Sequence, residues 1–215
     1  MPAAKVDLLR EDRALYAPGR VPEIIEVPEF LFLMVDGHGD PNVSPGYREA
    51  VEALYSVSYT LKFAIKRGPR QLDYRVLPLE GLWWVADMSR FSTGHKDDWD
   101  WTAMIRQPEE IDRALLEDAV RTATARRQLP AAERLRLERF AEGLAAQVLH
   151  LGPYATEGPT IERLHSFIAE RGYALSGKHH EIYLSDPRRA APERLKTVVR
   201  QPITAPQATA HRGRV

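Results

Sequence analysis

The residues of this chain best suited to chemistry are two glutamates set among aromatic side chains. His179-His180-Glu181-Ile182-Tyr183-Leu184 reads as a strand. Alternation puts His179, Glu181 and Tyr183 on one face and His180, Ile182 and Leu184 on the other. The first face carries an imidazole, a carboxylate and a phenol in a row; the second reads as core beneath helices. An exposed sheet face accommodates the same residues, so this row alone leaves surface and site equally open. Leu79-Glu80-Gly81-Leu82-Trp83-Trp84 repeats the theme. A regular strand groups Glu80 with Leu82 and Trp84, whereas a bulge at Gly81 would group Glu80 with Trp83. Trp99 and Trp101 share one face of the next segment, so all four tryptophans fall within residues 83–101. A tryptophan-rich core is the plain explanation. Against it, buried indole N–H groups want partners, and clustered Trp and Tyr often build a ligand cage. Tyr55 and Tyr59, four residues apart on a helix, add two hydroxyls to the same inventory.

Other chemistries are absent from the sequence. There is no phosphate-binding glycine loop, since Gly37-His38-Gly39 lacks the pattern that should follow it. There is no GxSxG elbow and no HExxH. His179 and His180 are neighbours on a strand and point to opposite faces, so no metal is expected there. No cofactor is expected either.

The elements that must position these residues follow from periodicity. Residues 1–21 read as a polar, partly helical arm. Residues 23–36 read as a strand whose apolar run, Phe30 to Val35, suggests burial on both faces. A loop rich in Gly, Pro, Asn and Asp leads into a helix from about Tyr47 to Arg67, stopped by Gly68-Pro69. Strand-like pieces follow at Asp73–Leu77, Leu79–Ala86 and Trp99–Ile105. Glu109–Arg127 and Ala131–Ala145 are charged and rich in Leu, Ala and Arg, which predicts a helical hairpin, with Pro130 opening the second helix. A strand at Ala146–Leu151, a helix at Thr160–Arg171 and strands near Leu175–Leu184 and Leu195–Pro202 complete the order. Each half then runs strand, loop, helix, strand, strand. The expectation is an α+β fold of two repeated βαββ units. They would form a mostly antiparallel sheet with helices on one face, over residues 22–107 and 146–202. The hairpin at 108–145 is an insertion and residues 203–215 a flexible tail. A concave pocket is expected on the sheet face away from the long helices.

Composition narrows the function classes. The chain has 215 residues, 44% of them hydrophobic and 28% charged, a globular balance. Lys+Arg and Asp+Glu are both 30, so the net charge is zero and general nucleic-acid binding loses support. With no cysteine there are no disulfides, thiolate nucleophiles or cysteine-ligated metals. No stretch has the length of a membrane span and the N-terminus has no signal-peptide core, so a cytoplasmic location is expected.

Four stretches together resemble a known family. They are Leu54-Tyr55-Ser56-Val57-Ser58-Tyr59-Thr60-Leu61-Lys62-Phe63, Pro78-Leu79-Glu80-Gly81-Leu82-Trp83-Trp84, Trp99-Asp100-Trp101 with Met104-Ile105, and Lys178 to Pro187. They resemble the GyrI-like small-molecule-binding proteins over about residues 22–202. The resemblance implies two βαββ units about a pseudo-twofold axis, and a groove for apolar, often planar or cationic compounds. Related domains serve drug-sensing transcription activators, but no DNA-binding helix pair precedes residue 22 here. The LEGLWW and HHEIYLSDP stretches are also similar to cyclopropanoid cyclopropyl hydrolases, which open the spirocyclopropane of DNA-alkylating antibiotics of the yatakemycin and CC-1065 type. That resemblance implies a hydrolase for self-protection or detoxification. Trp83, Trp84, Trp101, Tyr55, Tyr59, His179 and Met104 would hold a small planar aromatic ligand. Glu181 or Glu80 would be the base and Tyr183, Tyr59 or Tyr55 the proton donor. Burial beside aromatics would raise the pKa of Glu181. The alternative is a multidrug-binding protein that sequesters compounds without turnover; gyrase inhibition rests on the family name alone.

Overall fold

The computed structural model describes residues 4–88, 91 and 96–205. The arm contributes a short strand β1 (Ala4–Val6) and two single-turn helices, α1 (Leu8–Glu11) and α2 (Arg13–Tyr16). The long strand β2 (Glu23–His38) leads to helix α3 (Pro45–Arg67). Local chemistry sets both ends of α3. The Ser44 side chain accepts a hydrogen bond from the Tyr47 amide, Pro45 sits in the first turn, and Gly68 ends the helix. Its buried stripe is Ala50, Ala53, Leu54, Val57, Ser58, Leu61 and Ile65, the three-and-four spacing of one helical face. Next come β3 (Leu72–Tyr74), β4 (Leu79–Trp84), β5 (Asp100–Gln107) and helix α4 (Arg113–Thr124), the last capped by Asp112. The second half runs β6 (Arg136–Leu151), α5 (Gly158–Glu170), β7 (Ala174–Leu175), β8 (His179–Tyr183) and β9 (Lys196–Thr204).

Six strands close into a barrel in the order β6-β2-β5-β4-β8-β9, with β9 pairing back onto β6. Every pairing within it is antiparallel. β7 adds to the edge of β9, and β1 pairs with β3 in a separate parallel ribbon. Closure gives the sheet an inside and an outside. A barrel of this size has room only for side chains, so the helices lie outside. The expected antiparallel α+β architecture is present, with two corrections. First, residues 136–145 of the helix expected over Ala131–Ala145 are instead the larger part of strand β6; of the expected hairpin only α4 and a single 3-10 turn at Ala132–Arg134 are helical. Local propensity there favours helix, but β2 on one side and β9 on the other offer two ladders of hydrogen bonds to the same residues. Second, that strand is what turns an open sheet into a barrel. Residues 203 and 204 belong to β9, and residues 206–215 of the expected tail lie outside the described residues.

One large core sits between the sheet and α3, a smaller one between the sheet and α5. Side chains on the opposite face fill the barrel. At one end are Phe32, Met34, Leu82 and Met104. Next to them is a buried polar network. His180 contacts Glu80 and Glu142, each at 3.0 Å, and Arg200 contacts Glu142 at 3.1 Å. The arm plugs into this network: the Tyr16 hydroxyl donates to Glu80 at 3.1 Å and Arg200 donates to the Leu15 carbonyl at 2.8 Å.

Candidate small-molecule site

β4 and β8 lie side by side in the barrel wall, with Gly81 opposite Glu181 and Trp83 opposite His179. β5 flanks β4 on its other side and sets Trp101 opposite Trp83. The alternation read from the sequence holds on β8. The His179 ring contacts Glu181 Oε1 at 3.2 Å, and the Tyr183 hydroxyl donates to Glu181 Oε2 at 2.6 Å. The direction this face takes is a correction. It points outward, toward α3 and the start of α5, and not away from the long helices; the His180 face, expected as core beneath helices, points into the barrel. Closure of the sheet decides this, because inside and outside are assigned only once β6 meets β9.

An aromatic cluster covers the outward face. Tyr47, in the first turn of α3, lies 5.6 Å from the Trp83 ring and 5.0 Å from that of Trp101. Trp99 meets Trp83 at 5.4 Å and stacks on Phe91 at 4.8 Å, and Phe91 reaches the His179 ring at 5.6 Å. Tyr154, just before α5, packs edge-on against Tyr183 at 5.4 Å. Two glycines let the indoles lie flat on the sheet. A Cβ on Gly37 would come within 2.1 Å of the Trp101 ring, and one on Gly81 within 2.8 Å of Trp83 Nε1. The cluster is closed: Trp83 is 2% exposed, Trp101 1% and Glu181 8%. A surface hollow of about 510 Å³, lined by Leu151, Glu193, Arg194, Lys196 and neighbours, shares no residue with it.

Not every expected site residue joins this group. Glu80, Trp84 and Met104 project to the other face of the wall. Glu80 is bound to His180 and Tyr16, Met104 packs with Phe32, Met34 and Leu82, and the Lys178 ammonium lies 3.3 Å from the Trp84 ring centre. The strand is regular at Gly81, so the two glutamates stand on opposite sides of one sheet. Tyr55 borders the cluster and stacks on Tyr59 at 6.5 Å, but Tyr59 itself is exposed.

Electrostatics separate the carboxyls further. Burial opposes charge on Glu181, but the hydrogen bond and charge of His179, then the Tyr183 hydroxyl, outweigh it and hold Glu181 below its ordinary range. This corrects the expected upward shift: burial acts as anticipated, and the donors on its own strand overcome it. The raised carboxyl is Glu157, at the N-terminus of α5. Burial, and then the negative charge of Glu181 beside it, favour its protonated form. Sequence reading missed Glu157 because an acidic residue opening a helix is ordinary. It missed Tyr47 because that residue reads as the start of an amphipathic helix. Burial, followed by the Glu181 charge, raises the pKa of Tyr47 and Tyr183; for Tyr154 burial is followed by Glu157 and then Glu181. Four buried polar atoms around the cluster have no hydrogen-bond partner among the described residues: Trp83 Nε1, Trp101 Nε1, Glu157 Oε1 and Thr197 Oγ1. Among those residues no group of three or more His, Asp or Glu is placed to hold a metal ion, and no helix is long and apolar enough to cross a membrane.

Comparison with known proteins agrees with this picture. Residues 20–204 match the GyrI-like small molecule binding domain. A conserved protein of Listeria innocua shares 40% identity over 93% of this chain and 100% of its own, with a TM-score of 0.86. Two structures described as hydrolases from Listeria innocua share 39% identity. They cover 93% and 94% of this chain and 100% of their own, with TM-scores of 0.81 and 0.84. No functionally curated protein matches. With the family's domain spanning the whole barrel and helices α3, α4 and α5, this chain belongs to the GyrI-like small-molecule-binding family.

Proposed function

We propose that this protein is a hydrolase that binds planar, apolar xenobiotics in the aromatic cluster. Its reaction adds water to the strained carbon of spirocyclopropane alkylating agents. The observation that carries this reading is the ionised Glu181, held by His179 and Tyr183 inside a nearly closed aromatic cluster. A carboxylate of that kind accepts a proton from a water aimed at an electrophilic carbon. Trp83, Trp101 and Tyr47 are flat rings on which a polycycle stacks once the closed cluster parts to admit it, and the two indole N–H groups, without a partner among the described residues, are donors a ligand oxygen can satisfy. In such a substrate the ring methylene is conjugated with a dienone carbonyl. Water oxygen bonds to the methylene, the bond between methylene and spiro carbon breaks, and its electron pair passes to the carbonyl oxygen, which becomes a phenol oxygen. Release of ring strain supplies driving force, so orientation plus one base gives a useful rate. The hydrolase descriptions of the Listeria innocua structures support the reaction class.

The test is incubation of the protein with a spirocyclopropane alkylator, followed by mass spectrometry of the small molecule. A product heavier by one water, in molar excess over protein, is the expected result. Saturable binding without product favours a sequestering protein, which the family's small-molecule-binding character also accommodates.

A further inference from the structure

Hydrolysis of this kind gains from a second group that delivers a proton to the oxygen on which charge develops, and three tyrosines of the cluster are poorly suited to do it. The Tyr183 proton is already committed to Glu181 Oε2 at 2.6 Å. Tyr47 and Tyr154 hold their protons more tightly than a free phenol does, because burial and nearby carboxylates disfavour their anions. Glu80, the other glutamate singled out by sequence, is on the far side of the sheet with His180 and Tyr16.

Glu157 is better suited: burial and the Glu181 charge raise its pKa too, but only to about 9, below that of either Tyr47 or Tyr154. It is 3% exposed, and its Oε1 is buried without a hydrogen-bond partner among the described residues. It stands where the turn after β6 enters α5, close enough to Thr197 and Glu181 to interact with both. Thr197 Oγ1 is a second buried polar atom there, with no hydrogen bond of regular geometry among the described residues. We infer that Glu157 and Glu181 work as an acid–base pair, with Glu157 as the catalytic acid that protonates the carbonyl oxygen of the substrate. This deepens the hydrolase reading and rests on it.

The charged and titratable groups around the pair are consistent with one proton shared between two carboxyls. Glu181 is held anionic by His179 and Tyr183 on its own strand. Its negative charge and the burial of Glu157 keep the proton on Glu157; Thr197 and Lys96 pull the other way without reversing the order. Tyr47 and Tyr154 add no charge while neutral. Proton accounting closes within the pair. Water gives its proton to Glu181 as its oxygen bonds to the methylene, and the ring bond breaks. Glu157 gives its proton to the resulting phenolate oxygen. One proton then passes from Glu181 to Glu157 and restores the starting state. The pairing also sets the substrate class. It suits an uncharged electrophile whose reacting carbon is conjugated with a carbonyl oxygen, since an acid has nothing to do for a ligand without such an oxygen.

Two measurements on the full-length protein test this. The first is independent of turnover: infrared difference spectroscopy at pH 7 of wild type against Glu157→Gln. A protonated-carboxyl C=O band present in wild type and lost in the variant is expected; no such band, or its persistence in the variant, overturns the assignment. The second is kinetics on a spirocyclopropane dienone. Glu157→Gln should bind the substrate with the wild-type Kd and lose about 100-fold or more in kcat. Glu157→Asp, which keeps the acid and the fold, should retain more activity than Gln. Wild-type turnover by folded Glu157→Gln overturns the acid role. No turnover by wild type overturns the hydrolase reading itself, and the acid role with it, whatever the spectrum says of the proton.

Discussion

The two glutamates that look alike in sequence have different work in the folded chain. Glu181 is an anion held by neighbours two residues away on its own strand, while Glu80 is tied to His180 and Tyr16 on the barrel side. Glu181→Gln keeps the shape of the side chain and removes the proposed base. Substrate binding is expected to survive while turnover falls about 100-fold or more. Calorimetric titration and a turnover assay on the same preparation check this, and equal turnover would remove Glu181 from the mechanism. The indoles call for a gentler change. Trp83 and Trp101 are almost wholly buried, so truncation to Ala costs about 3–5 kcal/mol of stability along with the stacking surface. Trp83→Phe and Trp101→Phe keep most of the ring and delete the N–H. If those donors serve a ligand oxygen, affinity for a dienone falls about 10-fold, the equivalent of roughly one hydrogen bond, while affinity for a carbonyl-free polycycle of the same size holds.

Elements of secondary structure position the cluster through close approach. Strand β2 meets β5 with Gly37 opposite Trp101, and the indole occupies the space a Cβ would need. Gly37→Ala should push the ring off the sheet, costing about 1–3 kcal/mol and changing tryptophan fluorescence. Gly143, in β6, is a contrasting case. A Cβ there meets nothing nearer than the Glu26 carboxylate at 3.9 Å, but φ is +73°. Gly143→Ala therefore costs about 1–2 kcal/mol through backbone strain alone and should leave the fluorescence unchanged. Urea unfolding of both variants, read by fluorescence, separates the two causes.

At the scale of the whole molecule, the buried network inside the barrel ties β4, β6, β8 and β9 to the N-terminal arm. Two of its members titrate with opposite sign. Burial opposes charge on His180, but Glu142 and Glu80 outweigh it and raise its pKa from 6.5 to about 9. Its contribution to stability is complete below 6.5 and disappears as pH rises through about 9. Glu142 is also buried, yet His180 and Arg200 lower its pKa from 4.5 to about 2. Its contribution is complete above 4.5 and disappears as pH falls through about 2. The network thus stabilises the barrel most between pH 4.5 and 6.5. Removing one partner strands a buried charge, so Glu142→Gln should cost about 3–5 kcal/mol. The gap in Tm between wild type and His180→Gln should narrow from pH 6 to pH 9.5; a constant gap would mean that His180 carries no charge in the folded protein.

Much of this was legible along the chain. Helix α3, strands β2 and β8 and the alternation of His179, Glu181 and Tyr183 follow from periodicity and caps, because those signals act between residues a few positions apart. The crowding of four tryptophans into residues 83–101 was equally plain. What only the tertiary structure decided depends on distant neighbours. Residues 131–145 carry helical propensity yet lie mostly in β6, because β2 and β9 pair with it from both sides. That pairing closes the barrel, and closure assigns Glu80, Trp84 and Met104 to the inside and Glu181, Trp83 and Trp101 to the outside. Glu157 is unremarkable as a helix-opening residue and becomes a proton holder only where α5 brings it beside Glu181. A carboxyl's pKa belongs to its surroundings, and here those surroundings come from strands and a helix far apart in sequence.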